Sequence, residues 1–220
     1  MKYPNLYQEK RLWKKGYKIV VGLDEAGRGA LTGPVVAGAV SILDTRYKIP
    51  SFTKVSEGRQ NTKIRDSKQL TPRQRDKLYK AIVNDKNLEW GIGIVSEKVI
   101  DRINILEATK LAMKKAVRSL EKKLPRGKKF LILDGIMKLD LPIAQKSIIK
   151  GDEKVFSCAA ASILAKVTRD RMMIKYHQKY PRYRFDLHKG YGTRKHFKLL
   201  KKYGPCPIHR KTFYPVSTMV

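Results

Sequence analysis

Apolar and polar positions alternate along this chain in two periods, one of strands and one of helices. Residues 18–23, Lys-Ile-Val-Val-Gly-Leu, form a β-branched run that predicts a central strand ending at Asp24 and Glu25. Pro34 to Leu43 reads as a second strand, and the short Gly-rich link between the two suits a hairpin-like connection. Thr71 caps a helix that opens on Pro72 and runs to about Asp85. Leu88 to Val95 is a third strand. Ile105 to Lys122 is an amphipathic helix, with Leu106, Leu111, Ala112, Ala116, Val117 and Leu120 at helical spacing. Phe130–Leu133 is a buried fourth strand ending at Asp134, and Ile143–Ile149 a fifth. Val155 to Tyr180 is a long helix whose small residues, Ala159 to Ser162, imply close packing. A further helix spans about Arg194–Tyr203 before a Pro-rich, basic end. The stretch from Tyr47 to Arg65 is polar and reads as a long surface loop. This order predicts an α/β layer fold with one sheet and helices on its faces.

Charge adds the partner class. Lys and Arg number 49 against 19 acidic residues in 220, a formal net charge of +30. Such an excess suits a polyanion, most commonly nucleic acid, with solubility as the plain alternative. Apolar content of 42% suits a globular chain, one domain or one with a small appendage. Cys158 and Cys206 stand far apart, with neither metal-ligand nor disulfide spacing, and read as reduced thiols of a cytoplasmic protein. No apolar run approaches the roughly 18 residues needed to span a bilayer, and no signal peptide is visible.

Within this basic chain, four acids stand out by position. Asp24 and Glu25 end the first strand, Asp134 ends the fourth, and Asp152 precedes the long helix. Each alone could be a turn residue or a cap. Together, on one edge of one sheet, they would repel each other unless cations intervened. Oxygen ligands favour Mg²⁺ or Mn²⁺. Two such ions about 3.5–4 Å apart can activate water and stabilise a leaving oxygen at a phosphodiester.

The run Gly22-Leu-Asp-Glu-Ala-Gly-Arg-Gly29, followed by Leu31-Thr-Gly-Pro34, closely resembles the opening motif of the type 2 ribonuclease H family, bacterial ribonuclease HII. Further matches follow in order: Asp66-Ser-Lys-Gln-Leu70, Asn104-Ile-Leu106, Leu133-Asp-Gly135, Lys150-Gly-Asp152, the run from Ala159 to Asp170, and His188-Lys-Gly-Tyr-Gly-Thr193. The resemblance spans roughly residues 20–215. It implies a ribonuclease H-like fold, a five-stranded mixed sheet flanked by helices, with a catalytic domain over 1–180 and a C-terminal helical, basic segment over 181–220 completing the substrate groove.

The resemblance also implies that Asp24, Glu25, Asp134 and Asp152 hold two divalent cations, Mg²⁺ or Mn²⁺. Cleavage would fall in the RNA strand of RNA–DNA hybrids and 5′ of single ribonucleotides embedded in duplex DNA, leaving a 3′-hydroxyl and a 5′-phosphate. Gly27, Arg28 and Gly29 would meet the ribose 2′-hydroxyl, which separates RNA from DNA, with Arg28 adding a phosphate contact. Tyr191 would stack on the neighbouring deoxyribose, and Ser67 and Lys68 would contact backbone phosphates. The enzyme would act as a monomer, away from membranes.

Other residues read as structural. Asp170 lies 18 positions beyond Asp152, about 27 Å along a helix, and pairs with Lys166 instead. Asp140 and Glu153 read as surface residues, and Trp13 and Trp90 as packing residues. His188 and His196 read as substrate-side or structural, and His209 has no assigned role. Two other readings stay open: a non-catalytic, ribosomal-type binder, and another nuclease on the same fold. Only about 17 residues precede the first strand, which leaves no room for the N-terminal domain of ribonuclease HIII. Type 1 enzymes lack the Gly-Arg-Gly pattern.

Overall fold

The computed structural model describes residues 3–49, 64, 67 and 70–219. Most of the predicted loop after Tyr47, and Lys68 with it, lies outside the described residues.

Five strands form one mixed sheet: β1 (Ile19–Ala26), β2 (Val35–Ile42), β3 (Leu88–Val95), β4 (Lys129–Asp134) and β5 (Ala144–Ile148), in the order β3-β2-β1-β4-β5. β1–β2 and β2–β3 pair antiparallel, while β1–β4 and β4–β5 pair parallel. Each strand matches its sequence pattern, and β1 runs one residue beyond Asp24 and Glu25, to Ala26.

The helices are α1 (Tyr7–Lys14), α2 (Pro72–Asn84), α3 (Glu97–Glu121), α4 (Gly151–Lys154), α5 (Phe156–Lys179), α6 (Phe185–His188) and α7 (Arg194–Tyr203). Thr71 caps α2 through a full capping box with Gln74. The sequence pattern missed α1 and the first turns of α3. Asn104 explains the second omission: at φ 64° it kinks α3, and its side chain accepts from the backbone N–H groups of Leu106 and Glu107. It therefore caps the helix predicted from Ile105, and a separate pair of turns precedes it.

Strand alternation divides the core between the two faces. Val21, Leu23, Ala37, Ala39, Leu131 and Leu133 pack with Ala108, Ala112 and Ala116 of α3. The opposite face carries α5. Its small residues let the two backbones approach so closely that a Cβ on Gly22 would lie 2.3 Å from the Ser157 carbonyl carbon. Buried Glu9 of α1 accepts from both the N–H and the hydroxyl of Ser157, which ties α1 to the start of α5 and fixes that helix over β1.

Candidate active site

The parallel register places Leu23 beside Leu133. One residue further, Asp24 and Asp134 lie side by side on the face that carries α5. Asp152 arrives from below on the four-residue α4, and the N–H of Gly151 donates to Asp134 Oδ1 at 2.6 Å. One carboxylate oxygen from each of Asp24, Asp134 and Asp152 lies within 4.8 Å of the others. Asp24 and Asp152 are buried.

Glu25 follows the pleat to the other face of β1. Its carboxylate lies 3.4 Å from the Arg28 guanidinium, and its N–H donates to Asp24 Oδ1 at 2.7 Å. Burial, and then the charges of Glu25 and Asp134, push the Asp24 pKa well up, against hydrogen bonds from the Ser162 side chain and the Glu25 backbone. Such a site suits a cation: two buried carboxylates, with a third beside them, are stable together only when positive charge joins them.

Beside the carboxylates, Gly27-Arg28-Gly29 turns outward. Gly27 is buried with φ +100°, while Arg28 and Gly29 are exposed. Tyr191 is half-buried, with Lys166 Nζ and the Arg169 guanidinium 5.2 and 5.1 Å from its ring centroid. The C-terminal segment clamps this turn. Ala30 bridges Tyr191, Thr32 bridges His209, and Leu31 N–H donates to the Gly190 carbonyl. Ser67, expected at a phosphate, is turned inward instead. It is 3% exposed and its hydroxyl is 2.9 Å from Ser162 Oγ, so a phosphate would meet Ser67 only through its main chain. Asp170 pairs with Lys166 at 2.7 Å, as its helical spacing predicts.

Sequence reasoning missed two groups. The first is a pair of buried arginines, Arg169 and Arg210. Helical spacing could have found Arg169, since Ala165, Arg169 and Met173 recur every four residues on one buried stripe of α5. The second is His209, left without a role by the sequence, which joins His188 and His196 in a structural cluster. Cys206 N–H donates to His209 Nδ1, so the His209 proton sits on Nε2 and faces His196 Nε2 at 3.2 Å. His196 then carries its proton on Nδ1, 3.0 Å from the Tyr191 carbonyl. His188 accepts from Gly190 N–H and contacts the Tyr183 carbonyl.

Burial lowers the pKa of all three histidines, His196 to about 3 and His209 to about 4. The unfolded chain takes up these protons near pH 6.5. Stability contributed by the neutral cluster is therefore present above that pH and lost as pH falls toward 4, at up to about 1.4 kcal/mol per pH unit for each histidine. Calorimetry between pH 7 and 4 should show a steeper fall in melting temperature for the parent than for His209→Phe. Equal slopes would mean that the cluster is not held neutral.

A five-stranded mixed sheet, helices on both faces and acids at adjoining strand ends define a ribonuclease H-like protein. The ribonuclease HII family model matches residues 21–216. Ribonuclease HII of Caldanaerobacter subterraneus is 48% identical over 94% of this chain and 78% of its own length. That of Chlamydia caviae is also 48% identical, over 96% and 92%. The solved ribonuclease H2 of Pyrococcus horikoshii superposes with a TM-score of 0.70 at 29% identity, covering 91% of this chain and 96% of its own. The chain belongs to the ribonuclease HII family, the type 2 ribonuclease H hydrolases, which act on RNA–DNA hybrids. Among the described residues no helix is long and apolar enough to cross a membrane.

Proposed function

We propose that this chain cuts the RNA strand of hybrids and also incises 5′ of single ribonucleotides embedded in duplex DNA, leaving a 3′-hydroxyl and a 5′-phosphate. The observation that carries this reading is the Asp24–Asp134–Asp152 cluster at the strand end that runs on into the Gly27–Gly29 turn, where Arg28 and Gly29 are exposed. Asp24, Asp134 and Asp152, with Glu25 alongside, would hold two divalent cations, Mg²⁺ or Mn²⁺. When bound, such ions supply a water of lowered pKa and charge stabilisation at the phosphodiester.

The rest is done by the chain itself. Arg28 is exposed enough to take a phosphate, and its guanidinium reaches Glu25 at 3.4 Å. Main-chain groups of the Gly27–Gly29 turn would meet a ribose edge, with Gly29 leaving the approach open because nothing lies within 4 Å of an added Cβ. Tyr191, clamped against Ala30, offers a ring face at the next sugar. Lys68 would hold backbone phosphate. The segment over 181–220 would complete this groove, supported by its pairing with Ala30 and Thr32, and the enzyme would act as a monomer.

The test is a duplex holding one ribonucleotide, incubated with Mg²⁺ or Mn²⁺, with products mapped to the bond. Incision 5′ of the ribonucleotide is expected, and cutting of long hybrids alone would sink the single-ribonucleotide reading. Tyr191→Ala should reduce incision at single ribonucleotides on the order of tenfold more than cleavage of long hybrids, since base or sugar stacking is worth about 1–3 kcal/mol. Equal losses on both would remove Tyr191 from junction sensing.

A further inference from the structure

Away from the carboxylates, Arg210 lies in the basic tail. It is fully buried, and so is Arg169. A buried guanidinium needs hydrogen-bond acceptors, and each of the two donates three bonds to main-chain carbonyls. Arg210 donates through Nε to Gly33 at 3.0 Å, through Nη1 to Arg28 at 2.8 Å and through Nη2 to Gly27 at 2.7 Å. Arg169 donates through Nε to Pro34, through Nη1 to Lys189 and through Nη2 to Thr32, each at 2.9 Å. Five of the six acceptors, all but Lys189, belong to one loop, residues 27–34, which the two side chains thus hold.

Peptide geometry gives this a consequence. In a planar trans peptide the C=O and the following N–H point in opposite directions. Drawing the Gly27 and Arg28 carbonyls inward onto Arg210 therefore turns the N–H groups of Arg28 and Gly29 outward, where both residues are exposed. Arg28 and Gly29 are two of the three residues placed at the 2′-hydroxyl above. The inward carbonyls are also polarised by a full positive charge, which makes the opposite N–H groups better donors.

We propose that Arg210 is a positioning residue for ribose recognition: its guanidinium sets the two peptide planes of the Gly27–Gly29 turn so that their N–H groups meet the 2′-hydroxyl. This rests on the single-ribonucleotide reading. It gives a role in specificity to a tail residue more than 180 positions from the turn it orients. Lysine cannot substitute, because one ammonium cannot span three carbonyls fixed at guanidinium spacing.

The test measures duplex affinity in chelator, so that nothing is cut, for one-ribonucleotide and all-DNA duplexes of the same sequence. The parent should prefer the ribonucleotide duplex. In Arg210→Lys this preference should fall by about three- to tenfold, the worth of one hydrogen bond, with all-DNA affinity unchanged. Leu120→Ala, buried against the other side of the sheet, controls for lost stability and should keep the preference. A parent without preference defeats the ribose-sensing reading itself. A parent that discriminates, with a folded Arg210→Lys that discriminates equally, overturns the role of Arg210. If Arg210→Lys does not fold, the Arg210 Nε–H resonance of the parent decides. It should shift with the ribonucleotide duplex and not with the all-DNA duplex, and an equal response to both overturns the proposal.

Discussion

Asp24→Asn is expected to yield a protein that is more stable without metal and has lost on the order of a thousandfold or more of its turnover. The two effects share one cause. Asp24 is 5% exposed, and its pKa is raised by burial and by the charges of Glu25 and Asp134. An acid whose folded pKa exceeds its unfolded value costs the fold stability. That cost is absent below the unfolded pKa, near 3.9, and grows as pH rises through the folded value. Asparagine removes it, so the melting temperature in chelator should rise, and rise more at pH 7 than at pH 4. A gain on the order of 1 kcal/mol is in keeping with other buried charges relieved of like neighbours. Divalent cation should reverse the ranking, because the parent gains a ligand that the variant binds weakly.

Asp134→Asn should be as inactive, with duplex affinity in chelator undiminished, since phosphate gains from losing a nearby negative charge. The amide oxygen can still accept from Gly151 N–H, as Oδ1 does now. An active Asp134→Asn would remove that residue from the ligand set. An Asp24→Asn less stable than its parent at pH 7 would show that the trio is not under repulsion.

The sheet was legible because its signal is local. Runs such as Ile19–Leu23 and Phe130–Leu133 are apolar at every position, as strands covered on both faces must be. Asp24 and Asp134 were legible for the same reason, because each follows an apolar strand run. What escaped is set by contacts distant in sequence. Glu9 reads as one acid in a basic N-terminal stretch, and only its meeting with Ser157, 148 positions away, shows it to be a buried tether. Arg210 reads as one more cation in a tail rich in them. Its carbonyl partners lie 177 to 183 positions earlier, and main-chain acceptors leave no trace in side-chain patterns. Asn104 differs in kind. Its polar side chain broke the helical pattern where it should, but an internal cap and a start look alike in sequence. Ser67 belongs to a matched motif, and the motif does not say which way its hydroxyl turns.

Gly27→Ala should separate the architecture of the turn from its chemistry. At φ +100° the backbone is one that an L-residue adopts only under strain, and the new methyl would sit 2.1 Å from Arg169 Nε and 2.8 Å from the Pro34 carbonyl oxygen. Those two atoms are themselves bonded at 2.9 Å, so the methyl enters a charge-assisted hydrogen bond in a buried place. Strain, overpacking and the weakened bond together should cost about 3–5 kcal/mol, roughly 10 °C of melting temperature for a chain of this size. Ribonucleotide incision should fall with it, as the Arg28 and Gly29 peptides lose their orientation.

Gly29→Ala is the contrast, because nothing lies within 4 Å of its added Cβ and its φ is not positive. Its melting temperature should match the parent within about 1 °C, as for an unstrained surface change. Its incision of single ribonucleotides should still drop on the order of tenfold, because the methyl stands where the sugar edge must approach the main chain. A Gly29→Ala protein with full activity would mean that the ribose does not approach this turn closely, and the 2′-hydroxyl would then have to be read by groups other than Gly27, Arg28 and Gly29.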